Sequence, residues 1–171
     1  MVDQTYMQQL FITGLKNAHG VEHQALQLMD RQIEHLENYP EVADMLRMHR
    51  VETEGQLQRI DTLLDGFGTS ASAAKDVVLG AVGNVAALAH VFTPDEIIKN
   101  SFANHAFENF EIAAYTSLLT MVDLGGFTNA RSALEQSLGE EKRMAQLVLD
   151  SIPAITRKYA ELRSAGQTAG H

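Results

Sequence analysis

Four glutamates, Glu22, Glu52, Glu111 and Glu141, each fall inside a stripe of apolar residues that recurs at helical spacing. An ionised carboxylate is costly to bury unless it is paired or bound to a metal. One such residue reads as a stripe edge that reaches water; four, evenly distributed, point to a shared partner. Their spacing adds a second argument. Glu22 and Glu111 lie 89 residues apart, as do Glu52 and Glu141, and within each half the two glutamates are 30 apart. Side chains equally far from the turns of two hairpins reach one level when the hairpins stack about a pseudo-twofold. Such an oxygen-rich set suits hard or borderline cations, iron or manganese among them.

Further candidates stand one turn away. Glu108 precedes Glu111 by three residues, and the same offset of 89 relates it to His19. His49 and Gln56 flank Glu52 on its stripe, and Tyr115 follows Glu111 by one turn. Glu108 and His49 are therefore counted with the four glutamates as metal ligands, and His19, Gln56 and Tyr115 as further ligands or groups that hold them. For each there is a plainer reading: a lone histidine on an apolar face is more often a hydrogen-bonded core residue, and a tyrosine there more often packs. Glu140 projects about 100° away from Glu141 on a helix and is expected to face solvent.

The elements that must position these residues are helices. Leu15, His19, Glu22, Leu26, Met29, Ile33 and Leu36 alternate steps of three and four, so a first helix is expected over about 3–36. Asn38-Tyr39-Pro40 ends it, and proline suits the first turn of the next. A second helix, about 41–64, carries Met45, His49, Glu52, Gln56 and Ile60 before Asp65-Gly66-Phe67-Gly68. The stretch 69–91, with Val77, Val78, Leu79, Val82, Val85 and Leu88, reads as a short apolar helix. Thr93-Pro94-Asp95-Glu96 is a start signal for a third long helix to about Leu124. Gly125-Gly126 breaks it, and a fourth runs from about Asn129 to Leu162, with Pro153 expected to kink or interrupt it. The segment 164–171, rich in small residues, is expected to be a flexible, frayed tail.

Two antiparallel hairpins, each with one apolar face, must pack on each other. The fold class is therefore all-α, a single four-helix bundle domain over 1–163. A long helical crossover, about 66–93, between the second and third helices makes it the ferritin-like variant.

Composition narrows the function. A net charge of −9 disfavours nucleic acid as a partner. The absence of cysteine excludes disulfides, thiolate sites and thiol nucleophiles. No apolar run is long enough to span a membrane. The first twenty residues lack the pattern of a signal peptide, so a cytoplasmic address is expected. Gly80-Ala81-Val82-Gly83 is not a phosphate loop, and no serine sits in a nucleophile elbow.

Several stretches are also familiar in order: Ala18 to Gln24, Asn38-Tyr39-Pro40-Glu41, His49-Arg50-Val51-Glu52-Thr53, Phe92 to Ile97, Phe107 to Ala113 with Tyr115 to Leu119, and Glu140-Glu141-Lys142 with Met144-Ala145. Across about 15–160 the chain resembles the YciE/YciF-type ferritin-like proteins of bacteria, the YciE branch in particular. The resemblance implies a ferritin-like bundle, a homodimer and a link to bacterial stress responses. Neighbouring ferritin-like families use paired iron or manganese for ferroxidase, peroxidase, catalase or oxygenase chemistry. One departure stands out. The usual diiron bundle carries Glu-x-x-His on two helices; here Gly55 follows Glu52 and Met144 follows Glu141 at the histidine position. Coordination then falls to Glu108, His49, His19, Gln56 or water.

The expected function is a dimetal-carboxylate protein holding two metal ions, iron before manganese, with O2 or peroxide as the small-molecule substrate, or handling iron. The alternative is a non-catalytic dimeric structural or interaction protein of the stress response.

Overall fold

The computed structural model describes residues 3–71 and 95–170. Its long elements are α1 (Gln4–Ile33), α2 (Pro40–Gly66), α3 (Glu96–Gly125) and α4 (Arg131–Ser164), with a 3₁₀ turn at Thr128–Ala130 before α4. The apolar helix expected over 69–91, and the Thr93-Pro94 start signal, lie largely or wholly outside the described residues.

Local chemistry sets the helix ends. The Asp3 carboxylate accepts a hydrogen bond from the Tyr6 amide at 3.0 Å and so caps α1. Pro40 opens α2, where its missing N–H costs nothing. Gly126 ends α3 with φ +70°, a left-handed conformation that suits glycine. A Cβ on the preceding Gly125 would collide with the Phe127 ring, so the turn as packed favours a glycine there as well. Pro153 does not interrupt α4, whose helical run is continuous from Arg131 to Ser164. The proline and Leu149, whose carbonyl loses its N–H partner, are both exposed, and water can solvate that group.

Cross-helix contacts fix the directions. Asp30 pairs with Arg50 and His19 with Asp61, so α1 and α2 are antiparallel. Arg131 pairs with Asp123 across the α3–α4 turn. Gln32 and Asn104 exchange hydrogen bonds near one end of α1, while Glu22 meets Tyr115 further back, so α1 and α3 are antiparallel too. Gln56 with Glu140, and Lys158 with Glu41, show the same for α2 and α4. The end of α2 and the start of α3 thus lie at opposite ends of the bundle, as a single long crossover requires. This is the all-α four-helix bundle of ferritin-like topology.

The core is split into two apolar layers. Phe11, Leu15, Ile60, Leu64, Leu118 and Leu134 fill one, closed by Phe11 stacked on Phe127 at 4.8 Å. Met29, Leu46, Ile97, Phe107, Met144 and Val148 fill the other. At its far end the Tyr39 hydroxyl donates to the Ala169 carbonyl at 2.8 Å, and Asn38 donates to Thr168 at 3.2 Å. The segment expected to be a flexible, frayed tail is set against this end of the bundle, and Ala169 is buried.

Candidate metal centre

Between the two apolar layers lies a belt of buried polar side chains: Glu22 from α1; His49, Thr53 and Gln56 from α2; Glu108 and Glu111 from α3; Ser137 and Glu141 from α4. Each long helix contributes because its inward stripe meets this level. On α3, Glu108, Glu111 and Tyr115 follow one another by three and four residues, which keeps them on one face. On α2, His49, Thr53 and Gln56 do the same.

Four of these side chains converge. His49, Glu108, Glu111 and Glu141 each offer a ligand atom, all within 4.8 Å of one another. His49 Nε2 lies 3.3 Å from Glu108 Oε2 and 3.6 Å from Glu141 Oε2. Its Nδ1 lies 3.3 Å from Glu52 Oε2. Gln56 donates to Glu141, and at 3.1 Å to Glu140. Glu22 flanks the cluster, accepting from the Tyr115 hydroxyl at 2.5 Å.

The electrostatics are those of carboxyls crowded together away from water. Burial pushes the Glu22 carboxyl up to about 7, against the pull of the Tyr115 hydrogen bond. Burial also drives Glu141 to about 10, with Glu108 and Glu22 adding repulsion and His49 opposing it. Glu111 is raised well above the usual range, by burial first and then by Glu22, Glu141 and Glu108. Burial alone would lower His49, but its close contacts with Glu108 and Glu52 and the field of Glu141 carry it to about 11. Tyr115 is raised by burial and by Glu22.

The fit to a metal can be tested on the polar atoms themselves. Glu22 Oε2, His49 Nε2, Thr53 Oγ1, Gln56 Oε1, Glu108 Oε2, both oxygens of Glu111, and Glu141 Oε2 are buried without a hydrogen-bond partner. Buried polar atoms are nearly always partnered, so this many on one belt fit a shared cation. One imidazole and several carboxylates make a donor set suited to iron or manganese.

The remaining sequence candidates are placed as follows. Glu52 stands at the rim, its side chain 29% exposed against 0% for Glu141. It accepts from Arg143 of α4, and its pKa is lowered, first by the His49 contact and then by Arg143. His19 is outside the cluster: its Nε2 pairs with Asp61 at 3.2 Å, and its pKa is lowered chiefly by burial. Glu140 does not face solvent as expected. Arg59 and Gln56 draw it against α2, and its side chain is 13% exposed. Thr53, Ser137, Arg59 and Arg143 escape a reading by stripe. Thr53 could have been found, being one residue beyond Glu52 and equally well spaced from His49 and Gln56. Arg59 and Arg143 carry no such signal, because long cationic side chains reach inward from positions outside the stripe.

The comparisons with known proteins agree with this architecture. The family described as "Domain of unknown function (DUF892)" matches residues 6–161. A protein of known structure from Xanthomonas campestris pv. campestris superposes with a TM-score of 0.77 at 23% identity, covering 92% of this chain and 99% of its own. The E. coli stress protein YciF gives 0.70 at 21% identity, over 85% and 94% of the two chains. YcfI, a proposed structural protein from Rhodopseudomonas palustris, gives 0.66 at 22%, over 83% and 92%. The chain therefore belongs to the DUF892 family, and it shares the ferritin-like four-helix fold of these solved structures.

Proposed function

We propose that the belt holds two first-row metal ions, iron in preference to manganese, and that the loaded protein reacts with O2 or peroxide in a bacterial stress response. The observation that carries this reading is the convergence of His49, Glu108, Glu111 and Glu141 with their unpartnered buried atoms. These four, with Glu22, would hold the ions. When bound, such ions supply reducing equivalents and open positions for the oxidant.

The chain's own residues do the rest. Glu52 faces His49 Nδ1, which leaves Nε2 turned to the cluster; a carboxylate behind a ligating imidazole fixes its orientation and basicity. Glu52 thus serves from the rim as the group that holds His49. Tyr115 keeps its hydroxyl proton on the bond to Glu22 and fixes that carboxylate. The apolar layers on both sides keep water from the belt. The carboxyl protons held at neutral pH must leave as cations arrive, so uptake is coupled to proton release.

The test is anaerobic ferrous titration followed by peroxide or oxygen consumption, on the wild type and Glu141→Gln. Stoichiometric iron uptake with oxidant consumption in the wild type, absent in the variant, supports the reading. Equal behaviour of the two proteins overturns it.

A second reading, a dimeric interaction protein, is favoured by the exposed apolar side chains Met48 and Val51 on α2 and Leu147 on α4. Sedimentation of the wild type against Met48→Asp/Val51→Asp checks it: a dimer that dissociates in the variant supports this reading, and a monomeric wild type removes it.

A further inference from the structure

A second group of metal-ligating side chains lies outside the belt. His19 and His23 are four residues apart on α1, on one helical face, with ring centroids 4.6 Å apart. The local sequence, His19-Gly20-Val21-Glu22-His23, has the His-x-x-Glu-His spacing by which one helix offers two imidazoles to a single transition-metal ion. Here Glu22 turns into the core and is held by Tyr115, so the acid–base glutamate of that arrangement is not available on the surface and only the cation-binding half remains. The neighbouring helix supplies a third donor. Asp61 of α2 places Oδ1 at 3.2 Å from His19 Nε2. Two ligands about 2.0–2.1 Å from a tetrahedral ion lie about 3.3 Å apart, so this nitrogen and oxygen already stand at ligand spacing.

We propose that His19, His23 and Asp61 form a separate surface site for one borderline divalent cation of the zinc, nickel or cobalt class. Imidazole nitrogens with one carboxylate suit these ions better than the oxygen-rich belt does. His19 is largely sheltered and its position is fixed between α1 and α2, while His23 is exposed, and its ring must turn toward Asp61 to complete the site. Burial lowers the pKa of the His19 imidazole, and a cation bound at Nε2 would replace the proton that this nitrogen shares with Asp61. The site lies one helical turn from Glu22, so a cation held there waits beside the belt. The assignment does not depend on the belt being loaded.

Calorimetric titration with Zn2+ tests it on untagged full-length chain, in two backgrounds: the wild type, and Glu141→Gln, which weakens the belt. In each, His23→Ala is compared with its parent. The expected result is that His23→Ala removes about one zinc ion per chain, or weakens it about tenfold or more, in both backgrounds. Asp61→Asn should produce a smaller loss at the same step. His23 is exposed, so thermal midpoints of the His23→Ala proteins should match their parents. Zinc isotherms unchanged by His23→Ala in both backgrounds would overturn the assignment, as would a Glu141→Gln protein that binds no zinc.

Discussion

The two hairpins of the bundle carry the same spacing of glutamates and use it differently. In α1 and α3 the correspondence holds: Glu22 and Glu111, 89 residues apart, are both buried at the belt. In α2 and α4 it does not. The buried face of α4 runs through Ser137, Glu141, Met144 and Val148, whereas that of α2 runs through His49, Thr53, Gln56 and Ile60. Set back by the same 89 residues, the α4 face would pass through 48, 52, 55 and 59. The α2 face is therefore displaced by one residue, about 100° of helix rotation. Glu141 points to the centre, Glu52 is carried to the rim, and His49 is turned inward. The helices that keep the repeat supply carboxylates; the helix that departs from it supplies the imidazole absent from the Glu-x-x-His positions.

The largest expected effect breaks the equivalence of the paired glutamates. Glu141→Gln should abolish retained metal, whereas Glu52→Gln, acting through His49, should weaken binding by about 10–100-fold. Equal losses, read by metal content after gel filtration, would mean that the displaced register has no functional consequence.

The second effect is on pH. In the metal-free fold Glu141 keeps its proton to about pH 10, whereas the unfolded chain loses it near 4.5. Glu22 does the same to about 7, and His49 stays charged to about 11 against 6.5 when unfolded. In each case the folded state binds more protons over the interval, so stability falls as pH rises from about 4.5 toward 10. Glu52, whose pKa is lowered, acts oppositely, and its contribution is lost only as pH falls below its ordinary value near 4.5. Thermal midpoints of metal-free protein should drop between pH 5 and pH 9, and loading with metal should flatten the curve.

A smaller effect follows from the same source. Glu141→Gln cannot ionise, so metal-free variant and wild type should melt alike at pH 5. At pH 9 the variant should melt clearly higher, because only the wild type loses stability by ionising this carboxyl in the unfolded chain. The smallest is Arg143→Ala. It removes a half-exposed partner of Glu52, and denaturant unfolding should show a change of about 0–1 kcal/mol. Metal uptake in stopped flow should nonetheless be faster, because Glu52 is freed at the rim.

Much of this was legible in the sequence, and the reasons for the rest are physical. Steps of three and four locate an apolar stripe, and glycine and proline bound it, so the four long helices and their order follow from Leu15, Pro40, Gly66 and Gly126. Glu22, Glu111 and Glu141 fell at stripe centres and are buried. Position 52 and position 53 fit equally well between His49 and Gln56, and only packing against α4 selects Thr53 for the interior. Glu140 was assigned to solvent from its angle to Glu141, an argument that ignores the reach of Arg59 from the next helix. The docking of Thr168 and Ala169 on Asn38 and Tyr39 spans 130 residues, and no local pattern encodes it.

The central claim, that the belt is a metal centre, is tested most directly by elemental analysis. Untagged wild type and Glu141→Gln would be loaded anaerobically with ferrous iron, passed through gel filtration and counted for metal by plasma mass spectrometry. The account predicts about two irons per chain in the wild type and essentially none in the variant. A wild type that retains no metal, or a variant that retains as much, would contradict it.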